Sequence, residues 1–215
     1  MIFSLNEVEA MGRRAARGAG LNWGHAEEAG KAARWIAAHG LPGAELLAEL
    51  LSRNEGLSHH DVAPAATDGI WQAPGGRLCP LITGAALSDR AGEIASGHAF
   101  ELGATSFPLL LVPYAAAIAR AAGTAVELTW EGARLVVTPK GGLAAEGDGV
   151  AARDAERVTC RGANSPSAAA PAGIAHPDVD GSAWQRLVAF AQITYAPATE
   201  SSRLAGAGAG ITDND

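Results

Sequence analysis

A chain of 215 residues, 48% of them hydrophobic, is long enough to fold as one domain over residues 1–215 rather than remain disordered. Its formal charge of −7, with two lysines against 14 arginines, argues against non-specific nucleic-acid binding and adhesion to anionic membranes, because both need a cationic surface. Within the domain we distinguish a helical N-terminal part (1–55), an α/β centre (78–162) and a C-terminal helix with a tail (178–215).

The first predicted element is a helix that begins after Ser4. Ser4 and Glu7 form the pattern of a capping box, in which each side chain binds the backbone N–H of the other residue. Gly18 ends this helix, and the short connections that follow favour antiparallel packing of its neighbours. Apolar residues at helical spacing predict those neighbours at 23–39 and 44–51.

Two glycines lie inside these helices. Gly12 falls in the first helix and Gly30 in the second, where each costs about 1 kcal/mol relative to alanine. We interpret both as points where two helix backbones approach each other closely.

The segment 52–78 lacks a periodic pattern and is predicted to be a long loop, pinned by Trp71. Ordered loops of this length are often functional. After it, "LLLV" before Pro113 is predicted to be a buried strand, and residues 114–122 a helix closed by Gly123.

The centre of the chain turns to strand patterns. "TAVELTW" and "ARLVVTP", joined by Glu131-Gly132, predict a hairpin near 124–138, and "ERVTC" predicts one more strand. Residues 162–177 have the composition of a loop, and 182–193 the pattern of a last helix. Helices at both ends with strands between them predict an α+β fold around a central mixed or antiparallel sheet.

Three side chains are candidates for catalysis. His59 and Asp61 lie together in the long loop, and Glu27, with Glu28 beside it, opens the second helix. The structural alternatives are a solvated loop and a pair of acids that favours a helix N-terminus. Further ligands are not close in sequence, so no metal site is predicted, and the cofactor stays unknown.

The two lysines are predicted to have structural roles. Lys31 stands four residues after Glu27, which is the favourable order for an ion pair on a helix. Lys140 lies in "PKGG", which lacks the spacing of a phosphate-binding loop and predicts a turn.

Three arginines, Arg13, Arg14 and Arg17, lie on the first helix. An antiparallel second helix brings them near Glu27 and Glu28, so we predict ion pairs between the two helices. An anion-binding site is the alternative.

Cysteine use and the N-terminus indicate an intracellular protein. Cys79 and Cys160 are too far apart in sequence for a metal knuckle and are predicted to be reduced and partly buried. The first residues lack a basic segment followed by an apolar run, and the longest apolar stretch, 107–119, is too short to span a bilayer. We therefore predict no signal peptide and a cytoplasmic location.

The chain ends in "RLAGAGAGITDND". We expect this tail to be ordered and propose it as a ligand-binding segment, in which alternating glycines direct N–H groups towards an anion. The alternative is that the glycines let the tail dock on the body of the protein or on a second copy. The candidate ligand-binding residues are Arg203, Gly206, Gly208, Gly210 and Asp213.

Three blocks of sequence resemble one family. "SLNEVEAMGRRAARGAGLNWGHAEEAGKAARWIAAHGLPG", "CPLITGAALSD" and "TYAPATESSRLAGAGAGITDND" are similar to an uncharacterised bacterial family, domain of unknown function 3726. The resemblance implies no activity or cofactor. A shorter likeness joins the N-terminal helices with His39-Gly40 to the malate/L-lactate dehydrogenases, but Ala38 replaces the serine before that histidine, and we treat it as chance.

Two functions follow from these observations. The first is a metabolic enzyme or its accessory subunit, which handles a small anionic or amino-acid-like molecule. The second is a non-catalytic homo-oligomeric binding protein. The sequence does not decide whether the protein is an enzyme.

Overall fold

The computed structural model describes residues 1–164, 166 and 169–195. Its helices are α1 (Leu5–Gly18), α2 (Trp23–Ala38), α3 (Gly43–Arg53), α4 (His59–Val62), α5 (Pro80–Ser88), α6 (Ala91–Ala95), α7 (Val112–Ala122) and α8 (Gly181–Gln192). Its strands are β1 (Ile70–Trp71), β2 (Phe100–Leu102), β3 (Thr105–Ser106), β4 (Ala125–Trp130), β5 (Ala133–Val137), β6 (Leu143–Glu146), β7 (Asp154–Ala155) and β8 (Val158–Ala163). Helices at both ends and strands between them confirm the α+β class.

The N-terminal helices begin where the sequence indicates. The capping box of α1 is formed, since Ser4 N donates to Glu7 Oε2 at 2.7 Å and Glu7 N donates to Ser4 Oγ at 3.2 Å. Asn22 caps α2 by accepting a hydrogen bond from His25 N at 2.8 Å. These local contacts satisfy N–H groups that lack a partner within their own helix.

Gly12 and Gly30 lie at the contact between α1 and α2, which confirms their interpretation. A Cβ added at Gly12 would lie 3.2 Å from Cα of Gly30 and 3.0 Å from a methyl carbon of Leu47. One added at Gly30 would lie 2.5 Å from the carbonyl oxygen of Glu9. The helix backbones are therefore close enough that Gly30 cannot carry a side chain unless α1 moves, and Gly12 has little room for one.

The main sheet has six strands in the order β1-β2-β8-β4-β5-β6. Only β1 and β2 pair in parallel, and the remaining neighbours are antiparallel. The predicted hairpin is confirmed as β4 and β5, turned at Gly132, whose φ of 75° is readily adopted by glycine. A separate two-stranded ribbon pairs β3 with β7.

Two expectations for the centre of the chain are corrected. "LLLV" is not a strand, because Pro108–Leu111 forms a 3-10 helix that leads into α7. Proline lacks an N–H for a strand ladder and favours the first turn of a helix. The helix after it does end at Gly123, whose φ is 68°.

The segment 52–78 is not one loop. It contains the last turn of α3, the short helix α4 and strand β1. Trp71 is fully buried, and its Nε1 donates to the carbonyl oxygen of Thr67 at 2.9 Å, so it does hold this segment against the core. None of the helices in the described part of the chain is both long and apolar enough to cross a membrane.

Candidate functional site

The structure does not bring the three catalytic candidates together. His59 lines a cavity of about 340 Å³ with His25, and their ring centroids are 5.7 Å apart. We call this cavity the histidine pocket. Glu27 is exposed on α2 and lines neither this pocket nor the cleft described below.

Asp61 has a structural role. Its Oδ2 accepts hydrogen bonds from Ser58 N at 2.8 Å and Ser58 Oγ at 2.7 Å, which closes a capping box for α4. The hydrogen bonds from Ser58 hold the pKa of the Asp61 carboxyl below its usual value. Asp61 therefore stays ionised as a cap and is unsuited to act as a general acid near neutral pH.

Cys79 lines the histidine pocket and is free and buried, as is Cys160 in β8. Burial raises the pKa of the Cys79 thiol despite hydrogen bonds from backbone N–H groups and from Asn54, and burial raises the pKa of Cys160 to about 12. Both thiols are free, as predicted, and both are more deeply buried than the sequence indicates. Because the thiolate is the nucleophile, the raised pKa disfavours catalysis by Cys79.

We expect neither thiol to react with Ellman's reagent in the folded protein. Once the chain is unfolded in guanidinium, both thiols should react as fast as free cysteine does. The absorbance of the thiolate released from the reagent measures the reaction. A Cys79→Ser variant identifies the source of any release. Rapid release of one equivalent from the folded protein, absent in that variant, would contradict the prediction and mark Cys79 as reactive.

The ligand-binding candidates of the tail, Arg203, Gly206, Gly208, Gly210 and Asp213, lie outside the described residues. The helix that precedes them, α8, is present as predicted and ends at Gln192.

A cavity with several charged side chains lies between α2, α7 and the turn that joins β5 to β6. Its volume is about 510 Å³. We call it the lysine cleft. It is lined by Glu28, Lys31, Ala32, Trp35, Ser88, Pro113, Tyr114, Ala116, Ala117, Arg120, Pro139, Lys140 and Gly141.

Both lysines of the chain line this cleft, together with Arg120. Glu28 is the one acidic residue of its lining, and Lys31 Nζ lies 2.7 Å from Glu28 Oε1. Lys31 therefore pairs with Glu28 rather than with Glu27, which corrects the predicted pair. Within residues 1–164, 166 and 169–195, no carboxylate lies within 4.0 Å of the charged groups of Lys140 or Arg120, so the cleft carries excess positive charge.

Tyr114 lines this cleft, and its hydroxyl oxygen is buried. The residue is 4% exposed, and its hydroxyl has no hydrogen-bond partner in the part of the chain that the structure describes. Burial, with a smaller contribution from the Glu28 charge, raises the pKa of this phenol. It therefore stays protonated and is available as a hydrogen-bond donor.

His39 fixes the turn that carries Lys140. Its Nδ1 lies 2.8 Å from the carbonyl oxygen of Trp35, and its Nε2 lies 3.1 Å from the carbonyl oxygen of Gly141. The ring also packs on Trp35, with centroids 3.9 Å apart. These contacts tie α2 to the β5–β6 turn, so the two walls of the cleft are joined at one end.

The cleft offers binding groups without an evident nucleophile and base. Ser88 Oγ donates to the carbonyl oxygen of Gly84 at 3.0 Å, and Glu28 is engaged by Lys31. Activation of a serine requires a base at hydrogen-bond distance. The arrangement is suited to holding an anion through Lys140, Arg120 and Lys31.

Sequence reasoning missed this cleft because its cations lie far apart in the chain. Lys140 is in a turn, as predicted, but α7 and the helix–sheet packing bring that turn to α2. The sequence feature that could have indicated the cleft is the rarity of lysine, with two lysines against 14 arginines.

Residues 3–79 match the family described as Protein of unknown function (DUF3726), which confirms the resemblance for the N-terminal block. No curated protein matches the sequence. The crystal structure of malate dehydrogenase from Entamoeba histolytica is similar in fold, with a TM-score of 0.53 at 9% identity over 68% of this chain and 49% of that one. This chain thus spans about half the length of that structure.

This structural match does not test the short sequence likeness to dehydrogenases around His39-Gly40. At 9% identity the comparison shows the fold alone, and no activity follows from it.

Proposed function

We propose that this protein binds a small anionic metabolite in the lysine cleft, as a metabolic enzyme or an accessory subunit of one. The observation that carries the proposal is the gathering of Lys31, Lys140 and Arg120 around one cavity of about 510 Å³. Such a gathering runs against a formal charge of −7 for the whole chain.

The electrostatics of the cleft support an anion over a neutral ligand. Three cations and one carboxylate, Glu28, line a cavity that also has apolar walls such as Trp35 and Ala116. Cavities of this shape concentrate the field of their lining charges and attract counter-ions from solvent. A carboxylate or phosphate group would replace water on Lys140 and Arg120.

The choice between a simple anion and an amino-acid-like ligand depends on Glu28. An ammonium group would need that carboxylate, which Lys31 Nζ already binds at 2.7 Å. A simple anion can bind without displacing Lys31 from Glu28. The geometry therefore favours carboxylates and phosphates without an amino group.

The test is a calorimetric titration with two probes, inorganic phosphate and succinate. Lys140→Gln and Arg120→Gln are each expected to weaken binding roughly three- to five-fold, because each removes one partly exposed charge contact. The double variant should bind more than about ten-fold more weakly if the two contacts add. Binding should also weaken as NaCl is added.

Arg186→Gln is the matched control, since Arg186 is exposed on α8 and does not line the cleft. Its affinity for both probes should equal that of the unaltered chain. Equal losses in the control and in Lys140→Gln would show that only net charge matters and would overturn the proposal. Absence of binding by both probes at millimolar concentration would overturn it as well.

A further inference from the structure

A second basic cavity lies where α1 and α8 end and α2 begins. It has a volume of about 620 Å³ and is lined by Arg13, Arg14, Arg17, Gly18, Trp23, Ile193 and Thr194. We call it the arginine cleft. Among the residues that the structure describes, its lining contains three guanidinium groups and no acidic side chain.

These arginines do not form the ion pairs that the sequence predicts. Arg34 of α2 pairs instead with Glu9 of α1 at 2.8 Å. Across residues 1–164, 166 and 169–195, no carboxylate lies within 4.0 Å of the guanidinium of Arg13, Arg14 or Arg17.

The arginine cleft is also bordered by large apolar side chains that face solvent. Trp23 is 69% exposed and Ile193 is 66% exposed. The guanidinium of Arg17 lies 4.5 Å from the centre of the Trp23 ring, and Arg14 donates to the Tyr195 hydroxyl at 3.2 Å. Exposed apolar groups beside unpaired arginines are typical of a surface that binds an acidic, partly apolar segment.

We propose that residues 196–215 of the same chain bind in the arginine cleft. This segment continues directly from Tyr195, whose hydroxyl already contacts Arg14. It carries three acidic side chains, Glu200, Asp213 and Asp215, against one arginine, Arg203. Its charge is therefore complementary to the cleft, and Leu204 and Ile211 supply apolar groups for the exposed Trp23 and Ile193.

The reach of the segment and its composition are compatible with this site. Twenty residues span up to about 66 Å when extended, so the segment is long enough to leave Tyr195 and return along the cleft. Alternating glycine and alanine from Ala205 to Gly210 present little bulk between the two charged regions. This inference is independent of the anion proposed for the lysine cleft.

The experiment places a nitroxide label on a cysteine introduced by Ser202→Cys in the full chain. Cys79 and Cys160 are buried and should remain unlabelled. We expect loss of the Trp23 indole and Gly18 amide signals in the ¹⁵N spectrum, with the Trp130 indole unaffected. Arg13→Glu/Arg14→Glu should restore the lost signals, and so should Asp213→Asn/Asp215→Asn, which leaves the folded body unaltered.

Arg120→Glu is the control and should retain the signal loss, because Arg120 lies on α7 outside the arginine cleft. If the labelled chain loses the same signals with and without the charge substitutions, the loss reflects only the proximity of a tethered label. That result would overturn the proposal. A mixture of ¹⁵N-labelled chain with unlabelled nitroxide-bearing chain distinguishes the occupant. Signal loss in that mixture equal to that within one chain would assign the cleft to the tail of a second copy and overturn binding by the chain's own tail.

Discussion

Gly30→Ala is expected to lower the free energy of unfolding by about 3 kcal/mol, as overpacking at a rigid contact does. The added Cβ would lie 2.5 Å from the carbonyl oxygen of Glu9 and 3.1 Å from the backbone nitrogen of Arg13. Since both atoms belong to the backbone of α1, relief requires the two helices to separate. The gain in helix propensity, about 1 kcal/mol, offsets only part of this cost. Urea denaturation followed by circular dichroism measures the change.

Gly24→Ala provides a matched control in the same helix. A Cβ at Gly24 would meet only Asn22 Oδ1, at 3.7 Å, so propensity decides the outcome and stability should rise by up to about 1 kcal/mol. The two substitutions should thus have opposite signs. Similar effects at both positions would refute a close contact of α1 and α2 at Gly30.

Glu127→Gln is expected to lower the free energy of unfolding by about 2 kcal/mol at neutral pH, because it removes a buried charge that two arginines bind. Glu127 in β4 is 3% exposed, and its two carboxylate oxygens accept from Arg134 Nε at 2.6 Å and Arg161 Nε at 2.8 Å. The arginines are 48% and 58% exposed, so water replaces part of what each loses, which keeps the expected cost moderate. Thermal or urea denaturation of both chains measures the change.

The effect should depend on pH in one direction. Burial raises the pKa of Glu127, but the hydrogen bonds and charges of Arg161 and Arg134 outweigh burial and hold the pKa below its usual value of 4.5. As the pH falls below that value, the unfolded chain takes up a proton that the folded chain still excludes, so the stability supplied by Glu127 is lost. The difference between Glu127→Gln and the unaltered chain should therefore shrink below about pH 4.5.

Glu146→Gln is the control for Glu127→Gln. Glu146 is 67% exposed and lies 3.7 Å from Arg134, so its substitution should change stability by less than about 0.5 kcal/mol. A constant difference for Glu127→Gln from pH 7 to pH 3 would contradict an ion pair as the origin of its effect.

The N-terminal helices and the hairpin could be predicted because their signals are local. A capping box at Ser4 and a glycine turn at Gly132 act within a few residues, and the structure contains both. Helix α5 was not predicted, since its sequence "PLITGAALS" is almost uniformly apolar and shows no stripe. Its Gly84 accommodates the ring of Tyr114, which would lie 2.3 Å from an added Cβ. Such tertiary packing is invisible to a local pattern.

The candidate site was harder to predict than the fold. Asp61 and Glu27 have residue types suited to catalysis, yet one caps α4 and the other faces solvent. Lys140 has the sequence context of an ordinary turn, and its proximity to α2 depends on how the β5–β6 turn is held by His39. Chemistry that depends on long-range packing cannot be located from residue type alone.

The contact of α1 with α2 has a consequence for any ligand of the lysine cleft. Because Gly30 leaves no gap between the two backbones, the main chain that carries Lys31 one residue later cannot shift without displacing α1 as well. The charge on this wall is therefore held in position before a ligand arrives. Less of the binding free energy is then lost in ordering the protein. Ligands whose charged groups do not match the fixed spacing of the charges in the cleft are disfavoured.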